Sequence, residues 1–369
     1  MASRNETLNS VAAENGRPAR VFADASPFRL TSFQMKCLIL LFLLVLLSAL
    51  GLLALLSGDY ELSARQAFEV IRLKLFGTSS VPLTRMHEII VWRIRLPRIF
   101  LAALTGMALA ASGAAYQACF RNPLVEPFIL GVSSGAAAGT ALAILLPHIF
   151  VQAQISAFFF ALLAVSLSYG LAKGREGTPP VALVLSGIVV GALFSALVGI
   201  MKYLAADEQL REITFWMMGG FYYANWSDVS TTFLTVSPCF LAILAGGWRL
   251  NVLSLGDDEA RSLGVNPEPT RLFFIAAATL AAAVCVSTVG IVAWVGLMMP
   301  HAARLLFGPD NRWVLPGSAA MGAAYLVLCD TVARNLTGAE IPIGIVSSIL
   351  GAPYLLWLIR AKGREMYGS

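Results

Sequence analysis

What most constrains this chain is the recurrence of apolar runs long enough to cross a bilayer, separated by short polar connections. They fall at residues 37–56, 97–120, 128–146, 155–172, 181–204, 231–247, 272–289, 291–306, 314–333 and 343–359. A helix needs roughly 17–25 residues to span the hydrocarbon layer, where its own backbone bonds are the only ones on offer. A soluble fold of 369 residues has no core able to bury so many runs. Charged residues make up 13% of the chain, about half of the roughly 25% usual in a soluble domain. The fold class is therefore an all-α polytopic membrane protein, with about ten transmembrane helices and both ends on one side. Around Gly290 the pattern stays open between one kinked helix and two short ones.

The flanks differ in character. Residues 1–35 are polar and read as a disordered cytoplasmic tail, 36–360 as the transmembrane domain, and 361–369 as a second cytoplasmic tail. The run at 37–56 exceeds the roughly 7–15 residues of a signal-peptide core, so it reads as a retained first span. The net charge of +5 has no aromatic-interleaved basic patch, which argues for membrane lipid and against nucleic acid as a partner. With the N-terminus inside, most loop cations fall inside, as the positive-inside bias requires. Seven break that bias by crowding one outer segment: Arg65, Arg72, Lys74, Arg85, Arg93, Arg95 and Arg98.

Three connections carry more pattern than a linker needs. Ser63 to Phe76 reads as a capped amphipathic helix, with Phe68, Ile71 and Leu75 on one face. Arg121-Asn122-Pro123-Leu124-Val125-Glu126-Pro127 holds two prolines four residues apart, which stiffen the backbone between two spans. Leu255 to Val265 is a short acidic helix bracketed by Gly256 and Gly264, too polar for lipid and suited to docking another protein. Asp330 lies deep in the ninth run, where an acid is either functional or paired for structure.

Some chemistry is missing. There is no GxxxxGK[ST] segment, so the chain does not cradle ATP phosphates itself. His87-Glu88 lacks a second histidine at metalloprotease spacing, and no nucleophile–base pair emerges from the remaining residues. The five cysteines show no CxxC spacing, so neither a metal site nor a disulfide framework is expected. The chain reads as a non-enzyme with no cofactor of its own.

Together these segments resemble the permease subunits of the iron-siderophore, haem and cobalamin ABC importers, the type II importer family. The resemblance is carried by Arg95-Leu96-Pro97-Arg98, Asn122-Pro123-Leu124, Glu126-Pro127, Leu130-Gly131-Val132-Ser133 and Trp216-Met217-Met218-Gly219-Gly220-Phe221. Leu255-Gly256 with Ala260 and Leu263-Gly264, Pro300-His301, Asp330 with Arg334, and Pro342-Ile343-Gly344 continue it. It implies a homodimer around a central path, two cytoplasmic ATPase subunits that bind ATP and Mg, and an outer substrate-binding protein. The setting it implies is a bacterial or archaeal cytoplasmic (inner) membrane, with both termini cytoplasmic.

Matched residue by residue, Arg95, Arg98 and Arg334 resemble arginines that dock glutamates of the binding protein; snorkelling headgroup anchors are the alternative. Asn122, Pro123 and Leu124 resemble a cytoplasmic gate, whereas a second gate near Pro180-Val181 departs from the family pattern and is unassigned. Leu255, Gly256, Ala260, Arg261, Leu263 and Gly264 resemble the ATPase coupling helix. Trp216, Met217, Met218, Gly219, Gly220 and Phe221 are candidates for the path. The cargo implied is a ferric siderophore, with haem or cobalamin next. A gradient-driven secondary transporter using Asp330 is the competing reading.

Overall fold

The computed structural model describes residues 32–58, 60–150, 152–174, 177–336 and 340–367. Of the tail expected at residues 1–35, residues 1–31 lie outside them, and Ser32–Met35 belong to the first helix. The chain divides into Met1–Met35, described only in the opening turn of the first helix, and Lys36–Ser369, which holds everything below.

Fifteen α-helices are present among the described residues: α1 (Ser32–Leu56), α2 (Ala64–Phe76), α3 (Arg85–Glu88), α4 (Leu96–Phe120) and α5 (Val132–Leu145). They continue with α6 (Ala153–Ala172), α7 (Pro180–Leu204), α8 (Asp207–Met218), α9 (Trp226–Ala245), α10 (Gly247–Leu255) and α11 (Asp257–Ser262). The last four are α12 (Pro267–Val289), α13 (Val295–Phe307), α14 (Asn311–Asn335) and α15 (Ile343–Tyr367). Seven are long and apolar enough to cross a membrane, and α5, α13 and the apolar part of α15 are shorter. Those ten coincide with the ten expected runs. Near Gly290 there are two helices, because Gly290 and Trp294 both take positive φ, 76° and 75°, and end the α12 ladder.

Pro97 does not break the helix it begins. A π-helical turn, Ile89–Arg95, joins α3 to α4, making one continuous helix from Arg85 to Phe120. Proline lacks an N–H and crowds the carbonyl four residues back; the wider turn relieves both faults.

α4 is the centre of the bundle, with α9, α12, α13 and α14 around it. Nearly every residue from Ala108 to Phe120 is buried, and most are Ala, Gly or Ser. Small residues let backbones meet where lipid offers no hydrophobic drive for helix association. Gly106 lies against the backbone of Gly322 on α14, and Gly113 against Gly296 on α13. α5, α6 and α7 form a second packed group beside this centre. Gly135 and Gly139 of α5 fit against the α6 backbone.

Connections gather at two ends. One holds α2, α3 and the start of α15, called the α2 end. The other holds the 121–131 loop, α10 and α11, called the α11 end. α2 is capped as its sequence indicates: Ser63 Oγ accepts from Gln66 N at 3.2 Å, and Gln66 Oε1 accepts from Ser63 N at 3.0 Å. Its Ala67 and Val70 pack on Leu55, Leu62 and Val91, while Phe68 and Leu75 are exposed.

Candidate functional site: a path with two ends

At the α2 end the three arginines singled out by sequence converge, each bonded inside the chain. Arg95 donates to Leu55 O at 2.8 Å and Tyr60 O at 2.9 Å. Arg98 meets Asp330 at 2.8 Å and Glu340 at 2.8 Å. Arg334 Nε lies 3.4 Å from Asp330 Oδ2, and its Nη2 donates to Ala54 O at 3.0 Å. Asp330, Arg98 and Arg334 are buried; the Glu340 side chain is 41% exposed. The four charges sum to zero, which is what allows them to sit out of water. Asp330 is thus a counter-ion to two arginines.

Of the seven outer cations, Arg65, Lys74, Arg85 and Arg93 are exposed. Lys74 pairs with Glu88. The Glu69 carboxyl is held below its usual range, chiefly by the Ser80 backbone N–H and then by Arg72.

Next to this end, α8 and the residues after it enclose a cavity of about 620 Å³. Trp216, Gly220 and Phe221 line it, with Phe215, Tyr222 and Tyr223 adding aromatic surface. Glu208, Arg211, Glu212 and Asp228 supply its charged groups. Met217 and Met218 face a smaller hollow of about 390 Å³ against Ile291, Gly344 and Ile345. Gly219, at φ 68°, is the crossing point: Gly220 N donates to Val289 O at 2.8 Å, and Ile343 N to Gly219 O at 3.1 Å. The 216–221 segment therefore ties the α12–α13 break to the start of α15. The sequence reading passed over α8 itself, although Asp207 and Glu208 in its first turn mark a helix start.

At the α11 end, Asn122, Pro123 and Leu124 form an exposed tip, while Val125 and Pro127 are buried beneath it. Leu124 N donates to Asn122 Oδ1 at 2.9 Å, and Gln117 Nε2 donates to Val125 O at 3.2 Å. Arg304 Nη1 donates to Gln117 Oε1 at 2.5 Å, securing that side chain. Arg121 takes φ 52° as the last residue of the α4 cap. That conformation is uncommon for a residue with a side chain, and the surrounding bonds impose it. Glu126, tucked behind the tip, has its carboxyl pushed up by burial, with the Trp294 backbone N–H opposing.

α11 is a six-residue helix between Gly256, at φ 142°, and Gly264, at φ 80°. Ala260 is buried against Val252 and Val265. Leu255 and Leu263 are 63% and 51% exposed, and Arg261 points outward beside Asp258. The two bare leucines flank this short helix, Leu255 as the last residue of α10 and Leu263 as the residue after α11.

The profile of the FecCD transport family matches residues 43–361. The chain belongs to that family. The "Probable iron chelatin transport system permease protein" of Helicobacter pylori (strain ATCC 700392 / 26695) is 40% identical over 319 residues, 85% of this chain and 96% of the relative. The hemin transport system permease protein HmuU of Yersinia pestis is 39% identical over 342 residues, 90% of this chain and 98% of the relative. A solved structure described as an inward-facing conformation of a metal-chelate type ABC transporter superposes with TM-score 0.78 at 35% identity. It covers 88% of this chain and 99% of that one. This FecCD chain is therefore a membrane-embedded permease subunit of an ABC importer and not itself the ATPase.

Proposed function

We propose that this chain forms the translocation path of a binding-protein-dependent importer for an iron chelate, first a ferric siderophore, with haem or cobalamin next. The observation that carries the cargo class is the aromatic cavity of about 620 Å³ beside the α2 end. Its size falls within the roughly 300–1,000 Å³ of small-molecule sites and far exceeds what a bare ion needs. The relatives named for iron chelate and hemin support the same class.

In this reading two copies enclose the path, and two ATPase subunits carrying ATP and Mg bind at the α11 ends. The α11 end and both termini then face the cytoplasm of a bacterium or archaeon, with residues 36–360 as the membrane domain. A substrate-binding protein docks on the α2 end. Arg95, Arg98 and Arg334 shape that docking face, and carboxylates of the binding protein reach Arg98 by displacing the half-exposed Glu340. Asn122–Leu124 closes the cytoplasmic mouth, and Leu255, Leu263 and Arg261 seat α11 on the ATPase. Asp330, bonded to two arginines, is a poor proton or sodium site, which disfavours gradient-driven transport.

The experiment is reconstitution of this chain with its genomically adjacent ATPase in liposomes, measuring ATP hydrolysis and uptake. Binding protein loaded with ferric siderophore, haem or cobalamin is added in turn. Stimulation by one cargo identifies it. Co-assembly with no response to any chelate defeats the cargo proposal, and failure to assemble with any ATPase defeats the mechanism.

A further inference from the structure

Arg271, on the first turns of α12, is a buried charge that the transport reading above does not use. Its side chain is 4% exposed. A buried guanidinium is tolerated only where its donors are satisfied, and here they reach three separate elements. Nε donates to Cys119 O at 3.2 Å, two residues before the Arg121–Leu124 loop segment. Nη1 donates to Thr178 O at 3.3 Å, on the segment leading into α7. Nη2 meets Asp257 Oδ1 at 2.5 Å, on the first residue of α11. The same Asp257 oxygen lies 3.8 Å from Arg121 Nη2, closing the circuit back to the loop. Thr178 is further held by its hydroxyl, which donates to Glu268 Oε1 at 3.3 Å.

A planar guanidinium holds its donors in fixed, diverging directions toward three separated acceptors, whereas a lysine ammonium gathers its three donors at one point. The three bonds span 152, 93 and 14 residues of sequence, so none is a by-product of helix geometry. We propose that Arg271 is a positioning residue that makes α11, the loop ending in Asn122–Leu124 and the segment entering α7 move as one body. A displacement of α11 by its docked ATPase then reaches the loop tip and α7 together. The transmission step rests on the importer reading; the three-way tie does not.

Two measurements separate those layers. The first is hydrogen exchange of the full-length permease in nanodiscs, comparing wild type, Arg271→Lys and Arg271→Gln. Removing charge-assisted bonds from all three elements raises amide exchange about tenfold or more. The rise is expected together at the amides of Arg121, Asn122 and Leu124, of Gly177 and Thr178, and of α11, with α5 and α6 unchanged and the lysine variant intermediate. Exchange that rises in one element alone, or in none, overturns the tie.

The second measurement is cargo transported per ATP hydrolysed by the reconstituted complex. Arg271→Gln is expected to lower this ratio about tenfold while hydrolysis continues. A variant whose transport and hydrolysis fall in proportion overturns the transmission role and leaves a merely structural arginine. Should Arg271→Gln not assemble, Asp257→Asn at a one-third-exposed position releases the α11 arm alone: exchange is expected to rise in α11 and cargo per ATP to fall, and an unchanged α11 overturns the tie. Wild-type complex that never couples hydrolysis to uptake refutes the importer reading, while the exchange result still decides the tie.

Discussion

Asp330→Asn is the substitution that most directly tests what the buried charges at the α2 end are for. In the native cluster Arg98 and Arg334 carry two positive charges, Asp330 and Glu340 two negative ones. The variant leaves an excess of one positive charge among side chains that are 6% and 8% exposed. Breaking a buried pair from one side costs about 3–5 kcal/mol. Glu340 stays 2.8 Å from Arg98 and is open to water, so the lower figure, about 3 kcal/mol, is the expected loss. Unfolding of the purified permease in mixed micelles, followed by helical signal against denaturant, measures it. Adding Arg334→Gln returns the cluster to neutrality and is expected to recover about half of the loss, the signature of charge balance over side-chain shape. Uptake per assembled complex is expected to stay near wild type, since the carboxylate holds helices and carries nothing. Wild-type stability in Asp330→Asn, or a stable complex that hydrolyses ATP but has lost all uptake, refutes the counter-ion argument. The second outcome would return Asp330 to a coupling role.

Further outcomes follow from other contacts. Glu340→Gln frees one face of Arg98 and is expected to tighten binding-protein affinity about two- to fivefold, the scale of a half-exposed ion pair, as read by surface plasmon resonance; unchanged affinity removes Arg98 from the docking face. Asp310 caps α14 by accepting from Arg312 N at 3.0 Å and also from Asn251 Nδ2 at 2.7 Å. Asp310→Ala is expected to cost about 1 kcal/mol in the same unfolding assay. The Arg312 side chain holds the Asp310 carboxyl well below the usual range. A depressed folded value means its contribution is complete above the ordinary Asp range and is lost as pH falls through the folded value; wild type and Asp310→Ala should therefore converge in stability on acidification. Gly322→Val places a side chain where Gly106 O and Ala110 already sit, and a thermal-shift loss equivalent to about 1–3 kcal/mol or more is expected.

The ten spans were legible because a bilayer demands length and apolarity in one continuous stretch, and both are properties of local sequence. α11 was legible for a similar reason: Gly256 and Gly264 both take positive φ, a demand that glycine announces in the sequence. The Arg121 and Trp294 backbones adopt the same region without glycine, so their turns carry no such mark. α8 was passed over because twelve residues with a mixed face resemble neither a span nor a loop.

The outer cations show where local reading stops. Seven of them violate the positive-inside bias, Arg95 and Arg98 among them with a resemblance to arginines that dock a partner's carboxylates. Four find partners within the chain: Arg72 with Glu69, Lys74 with Glu88, Arg95 with two carbonyls, and Arg98 with Asp330 and Glu340. Arg98 and Asp330 are 232 residues apart, and only the packing of α4 on α14 through Gly106 and Gly322 joins them. An arginine meant for a partner's glutamate and one meant for an internal aspartate obey the same chemistry, so composition cannot distinguish them. Burial does: a fully desolvated arginine must carry its counter-ion at all times, whereas a docking arginine must be able to give one up. Arg98 has such an exchangeable partner, because Glu340 sits on the loop before α15 with its side chain 41% exposed. That makes Glu340 the residue through which an otherwise closed charge cluster can answer to an arriving carboxylate.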